Sequence, residues 1–512
     1  MDPLAVVDAY DRKLPLVKSG NGPVLLDVVT YRYSGHSPSD QNAYRSREEI
    51  EAWQKIDSIQ VFKSQLLEAG IASEEDFAAL EAEVTGNISD AFLLAVDEKI
   101  SPRMDFDKEP DAIEKYMFSN EKIARMANRA PDVLGPREEN SRWKKIQKKA
   151  HYAFKEDGSP VPASTVYSYR DAIFEPIFDK FYEDPTLVSY GEDVREWGGA
   201  FGVYTGMYES IPFHRLFNSP ISEATIVSSG VGYAMLGGRC VIELMYADFM
   251  GRAGDEIFNQ LAKWQSMTAG QIKMPVVLRI SVGALYGAQH SQDWTSLAAH
   301  IPGLKVVFPA TPYDAKGLMT SALNGTDPVL FFESQRLYGK GDEFRPVPAT
   351  PYEIPIGEPD IKRAGSDLTI LTVGATLYAA MQAAKILEEK YGLSAEIIDA
   401  RSLVPFNYEK VIESVKKTGK IILASDACAR GSHLNDVARN ITELCFNYLD
   451  APPVLIGARN WITPCAELEK EFFPQAQWIL DAVDQKIMPL GIAKPAYNFT
   501  PVEQIRREKA GV

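Results

Sequence analysis

The sequence predicts an α/β protein with parallel sheets flanked by helices, and two patterns carry this prediction. From Ser164 onward, apolar β-branched runs such as "TLVSYGED", "RCVIELMYAD" and "MPVVLRISV" alternate with helical patterns. Strands that alternate with helices are typical of βαβ units, in which the strands lie parallel. The alternation restarts later in the chain with "LTILTVG", "KIILASDA" and "PPVLIGARN". A second, smaller α/β unit is therefore predicted over about residues 355–490.

The composition is that of an ordinary globular protein, and it argues against several classes of function. Of 512 residues, 45% are hydrophobic and 24% are charged, and the formal net charge of -16 argues against a nucleic-acid surface. The longest uncharged stretch, residues 368–384, is shorter than the about 20 apolar residues of a membrane helix. The start has no secretory pattern, and the four cysteines lack CxxC spacing. We therefore expect a cytoplasmic protein with reduced thiols and with neither a membrane nor a nucleic-acid partner.

The N-terminal part has one strand pattern and several helix patterns. The run "GPVLLDVVTYRYSG" at residues 22–35 predicts a buried strand. Ser46 and Ser73 each precede an acidic residue by three positions, which predicts two capped helix starts. The apolar spacing from residue 76 to 99 predicts an amphipathic helix. Because one strand has no sheet to join, another element must complete this part.

Candidate site residues lie where the predicted strands end, because ligands of parallel sheets bind at the carboxyl ends of the strands. They are Glu192 in "YGEDVREWGGAFG", Glu223 in "FNSPISEAT", Tyr246 and Phe249 in "MYADFM", and His290 in "GALYGAQHSQDW".

Each residue taken singly also has a simpler interpretation. Glu223 and Asp248 fit helix N-caps, Phe249 fits a core position, and His290 fits a solvated loop. The segment "ATIVSSGVGYAMLGG" after Glu223 is uncharged and rich in small residues, so we expect it to be buried. A carboxyl group there must find a hydrogen-bond donor or take up a proton.

Taken in order, the segments of residues 164 to about 490 make a pattern: "GEDV", "GGAFGVYTGM", "SPISEATIV", "ELMYADFMGRAGDEIFNQLAK", "GAQHSQ", "HIPGLKVVFPATPYDAKGL", "IIDARSLVPF" and "FNYLDAPP". This pattern resembles the beta subunit of the thiamine-diphosphate-dependent first component of 2-oxo acid dehydrogenase complexes, the family of pyruvate, branched-chain 2-oxo acid and acetoin dehydrogenases. Residues 1 to about 125 resemble the C-terminal part of the alpha subunit through "DPLAVVDAY", "GPVLLDVVTYRYSGHSPSD" and "AYRSREEIE". The matched alpha segment begins part-way through that subunit, which is compatible with a split gene, a misplaced start or a degraded gene.

The resemblance implies a transketolase-like thiamine-diphosphate-binding fold with a transketolase-type α/β domain at the C-terminus. The predicted domains are an alpha-type fragment at residues 1–128, a proline- and charge-rich linker at 129–163, a pyrimidine-binding domain at 164–354, a C-terminal domain at 355–495 and a tail at 496–512.

The resemblance also implies roles for individual residues. Glu223 matches the carboxyl group that hydrogen-bonds the aminopyrimidine ring, and Phe249 the aromatic residue that packs on it. His290 matches a histidine that transfers protons near the lipoyl entrance. His36 matches a loop histidine that reaches the cofactor, and Glu192 and Tyr246 are further predicted cofactor contacts. Ser37, next to His36, occupies a position that is phosphorylated in animal homologues.

One family feature is missing from the sequence. The alpha subunit carries a G-D-G motif followed by Asn, which holds magnesium and the diphosphate, whereas Gly254-Asp255 and Gly341-Asp342 are each followed by glutamate. No metal ligands are predicted in this chain, and Mg²⁺ is expected from a site outside it. The implied partners are a complementary alpha chain with the G-D-G…N motif and a lipoyl-bearing acyltransferase, in a homodimer or heterotetramer.

The leading hypothesis is decarboxylation of a 2-oxo acid followed by acyl transfer to lipoate. Two alternatives stay open: acetoin cleavage, and a non-catalytic assembly subunit, which the missing metal motif suggests. A transketolase or a deoxyxylulose-phosphate synthase shares the domain order but usually carries the metal motif in the same chain. Which 2-oxo acid is used does not follow from the sequence, because one methylene changes selectivity by only about 1–3 kcal/mol.

Overall fold

The computed structural model describes residues 2–512, which fall into two compact units, residues 2–109 and residues 110–512. No helix among these residues combines the length and the apolar composition that crossing a lipid bilayer requires.

The first unit is helical. Its helices are α1 (Pro3–Lys18), α2 (Arg47–Gln54), α3 (Ser58–Glu68) and α4 (Glu74–Val96). Both predicted helix starts are confirmed: the Ser46 hydroxyl accepts the Glu49 N–H at the start of α2, and Ser73 forms a reciprocal capping box with Asp76 at the start of α4. Only the second is a full box, because the Glu49 carboxylate instead accepts the Tyr31 hydroxyl at 2.8 Å.

The prediction of a strand at residues 22–35 is wrong. The segment has no strand pairing among the described residues, and Leu25 in its middle is 94% exposed. An apolar β-branched run forms a strand only where neighbouring strands pair with its backbone N–H and C=O groups. Residues 2–109 contain no strand that could do so. No side chain of residues 2–109 is fully buried, so this unit has no core of its own.

The second unit contains two sheets flanked by helices. Its helices are α5 (Glu114–Met117), α6 (Ser141–Ile146), α7 (Tyr169–Glu183), α8 (Glu223–Met235), α9 (Ala262–Met267), α10 (Thr295–Ala299), α11 (Pro312–Asn324), α12 (Thr376–Tyr391), α13 (Glu409–Thr418), α14 (His433–Cys445), α15 (Ala476–Ala482) and α16 (Pro501–Ala510). Its strands are β1 (Val188–Gly191), β2 (Leu216–Asn218), β3 (Cys240–Leu244), β4 (Val276–Val282), β5 (Lys305–Val307), β6 (Val329–Ser334), β7 (Asp360–Arg363), β8 (Leu368–Thr372), β9 (Ala395–Asp399), β10 (Ser402–Val404), β11 (Ile421–Cys428) and β12 (Val454–Ala458).

Shorter helical turns connect these elements. Turns of 3-10 type lie at Arg137–Glu139, Met207–Glu209, Ala247–Ala253, Phe446–Tyr448 and Ala466–Glu471, and π-type turns at Glu256–Leu261 and Val483–Ile487.

Both sheets are mostly parallel, as predicted. The first has seven strands in the order β10-β5-β6-β4-β3-β1-β2, and the second has five in the order β12-β11-β8-β9-β7. Only β10 and β7, each at a sheet edge, pair antiparallel to their neighbours. The strand β10 was not predicted: it lies in "SAEIIDARSLVPF" directly after β9 of the second sheet, yet it joins the first sheet through β5.

The first sheet is buried on both faces. Val277 belongs to one apolar cluster with residues of α7 and α11, while its neighbour Leu278 belongs to another with residues of α8. Successive side chains of a strand point to opposite faces, so helices cover each side. The second cluster also includes Leu371 and Leu423 of the second sheet, which joins the two sheets in one core.

Residues 129–163 pack against the rest of the second unit. Asn140 and Ile146 are buried, and the Asn140 side chain donates to the Gly206 carbonyl at 2.8 Å. The linker at 129–163 and the other domain boundaries stay predictions.

Candidate functional site

The candidate residues of the second unit follow the carboxyl ends of adjacent parallel strands. The strands β4, β3, β1 and β2 lie side by side in this order and run parallel. The loop with His290 follows β4, Tyr246 and Phe249 follow β3, Glu192 follows β1, and Glu223 follows β2. The sheet topology therefore directs all five predicted residues to one end of the sheet, at the carboxyl ends of its strands, where ligands of parallel sheets bind.

Three of these residues are in direct contact. The His290 ring stands edge-on to Tyr246, with ring centroids 4.8 Å apart, and to Phe249, with centroids 5.4 Å apart. Tyr246 and Phe249 also meet edge to face, at 5.6 Å. Burial raises the pKa of the Tyr246 hydroxyl. The three rings form one apolar surface beside the end of β3.

Two aromatic residues that the sequence analysis missed extend this surface. The ring centroid of Phe201 lies 5.9 Å from that of Tyr246. The ring centroid of Tyr286 lies 5.9 Å from that of Tyr246 and 6.0 Å from that of Phe201. Both occur in the quoted segments "GGAFG" and "GALYG", so an aromatic residue among glycines in a strand-end loop was the available signal. We refer to Phe201, Tyr246, Phe249, Tyr286 and His290 as the aromatic wall.

The loop that carries His290 is fixed from three directions. Asp248 accepts the Gln292 N–H at 3.2 Å, Gln335 donates to the His290 carbonyl at 2.9 Å, and Glu469 accepts the Leu285 N–H at 2.5 Å. The N-cap interpretation of Asp248 is wrong, because the 3-10 turn Ala247–Ala253 has no side-chain cap and the carboxylate binds the loop instead. Burial raises the pKa of Asp248.

Glu223 is the first residue of α8. The N-cap interpretation is wrong for this residue too, because Ser222 occupies the N-cap position. The segment after it is only partly buried: Ile226 and Val227 are buried, whereas Thr225 and Ser228 are exposed. The Glu223 carboxyl is half-buried and has no hydrogen-bond donor among residues 2–512. The start of a helix stabilises a carboxylate through the backbone dipoles, so this group is available to a ligand.

The carboxyl group of Glu192 is affected by the charge of Glu223. Burial and then the negative charge of Glu223 raise the pKa of Glu192. Two neighbouring carboxyls at one strand edge compete for ionisation, and one of them takes up a proton more readily than an isolated group would.

His36 belongs to the first unit and is described there. Its Nδ1 lies 2.6 Å from Asp40 Oδ2, and its side chain is largely exposed. Hydrogen bonds from the backbone N–H groups of Asn42 and His36 hold the pKa of Asp40 well below its usual range. The Ser37 hydroxyl lies 2.9 Å from that of Ser39.

The described residues contain no group of three or more His, Cys, Asp or Glu side chains arranged to hold a metal ion. The aromatic wall offers flat ring surfaces, and Glu223 offers a carboxyl group that can exchange a proton.

Comparison with known proteins assigns the chain to a family. Residues 166–340 match the transketolase pyrimidine binding domain, residues 357–479 the transketolase C-terminal domain, and residues 1–103 the dehydrogenase E1 component. The beta subunit of acetoin:2,6-dichlorophenolindophenol oxidoreductase from Cupriavidus necator is 39% identical over 328 residues, which are 62% of this chain and 96% of that protein. The chain belongs to the dehydrogenase E1 beta-subunit family. This E1 chain therefore joins an alpha-type segment to a beta subunit, as the resemblance implied.

Other relatives of this E1 chain are also beta subunits. The 2-oxoisovalerate dehydrogenase subunit beta of Bacillus subtilis is 40% identical over 292 residues, 56% of this chain and 88% of that protein. The pyruvate dehydrogenase E1 component subunit beta of Rhizobium meliloti is 36% identical over 330 residues, 63% of this chain and 71% of that protein. Relatives that are single subunits imply an E1 assembly of several chains, and the pyrimidine-binding domain implies thiamine diphosphate as its cofactor.

A solved structure confirms the predicted fold of this E1 chain. A split gene transketolase, described as an inactive beta4 tetramer, covers 62% of this chain and 98% of its own with a TM-score of 0.50 and 22% identity. At that identity the likeness concerns the fold alone, which is transketolase-like.

Proposed function

We propose that the chain is part of the first component of a 2-oxo acid dehydrogenase complex, which decarboxylates a 2-oxo acid and passes the acyl group to a lipoyl domain. One observation carries the proposal. Glu223, a half-buried carboxyl group without a hydrogen-bond donor, follows a strand of the first sheet at the same carboxyl end as the aromatic wall. The names of the relatives, which include pyruvate and 2-oxoisovalerate dehydrogenases, support the substrate class.

The proposed roles follow from the chemistry of each side chain. When bound, thiamine diphosphate supplies a carbon nucleophile for the carbonyl of the 2-oxo acid and takes up the electrons that carbon dioxide leaves behind. Glu223 would share a proton with a nitrogen of the pyrimidine ring, and the backbone dipoles at the start of α8 would stabilise its carboxylate form. Phe249 and Tyr246 offer flat apolar surfaces to the ring. His290, held edge-on to both rings, moves a proton during acyl transfer.

The magnesium and diphosphate site belongs, in this proposal, to a complementary alpha chain. Relatives that are named as beta subunits support the existence of such a partner. The sequence is the second support, because Gly254-Asp255 and Gly341-Asp342 are each followed by glutamate instead of the glycine of a G-D-G motif. His36 and Glu192 are proposed to contact the cofactor in the assembled protein. The lipoyl-bearing acyltransferase and a homodimer or heterotetramer remain part of the same proposal.

Calorimetric titration tests the proposal. Thiamine diphosphate with Mg²⁺ is titrated into the chain alone and then into the chain mixed with a gene product that carries the G-D-G…N motif. We expect binding in the mixture, and turnover of a 2-oxo acid that falls by about 10²–10⁴-fold in Glu223→Gln because a general acid–base group is lost. Glu409→Gln is the matched control, since Glu409 is the first residue of α13, which packs against β8 of the other sheet.

Two outcomes would contradict the proposal. Equal losses of turnover in Glu223→Gln and Glu409→Gln would mean that Glu223 acts only on helix stability. Absence of binding in every mixture would favour the alternative of a non-catalytic assembly subunit, which the missing G-D-G motif suggests.

Acetoin cleavage is the second candidate function, because a relative that is 39% identical is named as an acetoin oxidoreductase subunit. A screen of acetoin against 2-oxo acids in the assembled protein separates the two. Turnover of acetoin without turnover of any 2-oxo acid would assign the chain to acetoin cleavage.

A further inference from the structure

Three charged side chains are buried inside the first sheet, close to the aromatic wall. Arg279 lies on β4, the central strand, and is only 2% exposed. Its guanidinium binds both carboxylate oxygens of Glu333 on β6, each at 2.7 Å, and one oxygen of Glu243 on β3, also at 2.7 Å. The group thus spans three adjacent strands, and we call it the sheet triad.

The sheet triad is not explained by stability alone. Buried ion pairs cost desolvation free energy, and apolar residues of similar volume often stabilise a core as well or better. Two of the carboxylate oxygens also accept hydrogen bonds from groups that lie outside the sheet.

The first contact leads to the glycine loop that precedes Phe201. The Ala200 N–H donates to Glu243 Oε1 at 3.3 Å. Gly199 has a φ of 79°, and a Cβ atom there would lie 2.6 Å from Glu243 Oε1. No other residue type therefore fits against this carboxylate without moving the loop.

The second contact leads to Phe201 itself. The Tyr338 hydroxyl donates to Glu333 Oε2 at 2.7 Å. The Tyr338 ring stacks on Phe201 with centroids 4.6 Å apart and planes 9° apart. Phe201 in turn meets Tyr246 of the aromatic wall. Both ends of the triad therefore converge on one side chain, Phe201.

We propose that Glu243, Arg279 and Glu333 are positioning residues, which hold the loop 198–202 and the Phe201 ring in place against Tyr246 in the candidate cofactor pocket. The triad acts through other residues, since none of its members belongs to the aromatic wall. Its contacts with the loop and with Tyr338 are made between residues of this chain. The effect on cofactor affinity rests on the proposed function, whereas the effect on the loop does not.

Hydrogen exchange in the cofactor-free chain tests the effect on the loop. Arg279 donates to one oxygen of Glu243, and the Ala200 N–H donates to the other. Glu243→Gln replaces one of these oxygens with an NH₂ group, which cannot accept, so one of the two contacts is lost. We expect exchange in the peptide that spans 198–203 to accelerate about tenfold, as a lost local restraint of about one hydrogen bond implies.

A second variant reaches the loop without replacing any charged residue. Gly199→Ala should accelerate exchange in the same peptide, because its Cβ cannot coexist with the Glu243 carboxylate. The matched control is Gly237→Ala: Gly237 has a similar φ of 83°, but a Cβ there meets nothing within 4 Å. The control should leave exchange in 198–203 unchanged. Unchanged exchange in both test variants, or an equal acceleration in the control, would overturn the proposal.

A binding cycle tests whether the triad acts on the cofactor through Phe201. In the mixture with the alpha chain, we expect Glu243→Gln to weaken thiamine diphosphate binding by about tenfold, but by less than about twofold when Phe201→Leu is already present. The same fold-change in both backgrounds would overturn this route. If the unaltered mixture does not bind the cofactor, the proposed function fails, and the exchange data alone decide on the triad.

Discussion

Asp293 lies three residues after His290 and is fully buried with an incomplete set of partners. Its Oδ1 accepts the Thr295 N–H at 2.9 Å and the Thr295 hydroxyl at 2.5 Å, whereas Oδ2 has no partner. Burial raises the pKa of Asp293 to about 6. The folded chain therefore holds this proton more tightly than the unfolded chain, in which an Asp has a pKa of about 3.9.

The sign of the pH dependence follows from linkage. Between about pH 4 and pH 6 the folded state binds more protons at Asp293, so the free energy of unfolding falls as the pH rises, by about 2–3 kcal/mol at most. Asp293→Asn cannot titrate. We expect the urea midpoint of the variant, relative to the unaltered chain, to rise from pH 4 to pH 6 and then to stay constant. A difference that does not change with pH would contradict this.

At the scale of the element, the start of β3 depends on a buried ion pair at the end of the sheet opposite to the aromatic wall. Arg239 precedes β3, and its Nε lies 2.9 Å from Asp184 Oδ2, with both side chains fully buried. Its other nitrogens donate to the Gly325 carbonyl at 2.7 Å and the Ile123 carbonyl at 2.5 Å. We expect Arg239→Met to lower the free energy of unfolding by about 3–5 kcal/mol, because a buried carboxylate loses its counter-charge.

Arg439 on α14 offers a matched control for Arg239→Met. It pairs with Asp436 and Glu443, but all three side chains are more than half exposed. Water and salt screen such pairs, so Arg439→Met should leave the unfolding free energy nearly unchanged. Denaturant unfolding of the two variants measures the contrast. Equal destabilisation would mean that the loss of arginine packing, and not burial of the charge, sets the cost.

The elements of the sheets could be predicted from sequence because their signals are local. Runs such as "MPVVLRISV" became the strand β4, and the hydroxyl–acid spacing at Ser73 became a capping box. The prediction of a strand at residues 22–35 failed, because a strand forms only beside partner strands, and the local sequence pattern does not show whether these exist. The strand β10 was missed for a related reason, since its neighbour β5 lies almost 100 residues earlier in the chain.

The site could be predicted in part. The prediction of parallel strands was sufficient to expect Glu192, Glu223 and Tyr246 at the same end of one sheet. The sheet triad could not be found, because Glu243, Arg279 and Glu333 each occur inside an apolar run that predicts a strand. A charge in such a run was the available signal, but only the strand order shows that the three charges face one another.

At the scale of the whole molecule, the two units differ in how much apolar surface they bury. The second unit has extensive cores, whereas the first exposes apolar side chains along its length. Those of the segment 22–35 are Leu25, Val28 and Val29, and those of α4 include Leu80, Ile88 and Phe92. A unit without a core cannot offset the conformational entropy of folding by itself. The proposed alpha chain would supply the missing burial.

This argument predicts where protection appears on assembly. Addition of the complementary alpha chain should slow hydrogen exchange most in residues 22–35, where a strand-like run that joins no sheet in this chain finds neighbouring strands, while exchange in β1 stays slow throughout. Leu25→Asp should weaken assembly without altering the thermal midpoint of the chain alone, because Leu25 makes no buried contact there.

Ile71→Asp is the matched control for Leu25→Asp, since Ile71 is 73% exposed and follows α3 outside the strand-like run. Light scattering of the mixtures measures assembly. A specific strand interaction should be disturbed at Leu25 and not at Ile71, whereas a general apolar association should respond to both substitutions equally. Equal weakening, or unchanged exchange in residues 22–35 on mixing, would mean that the alpha chain does not complete a sheet at this segment.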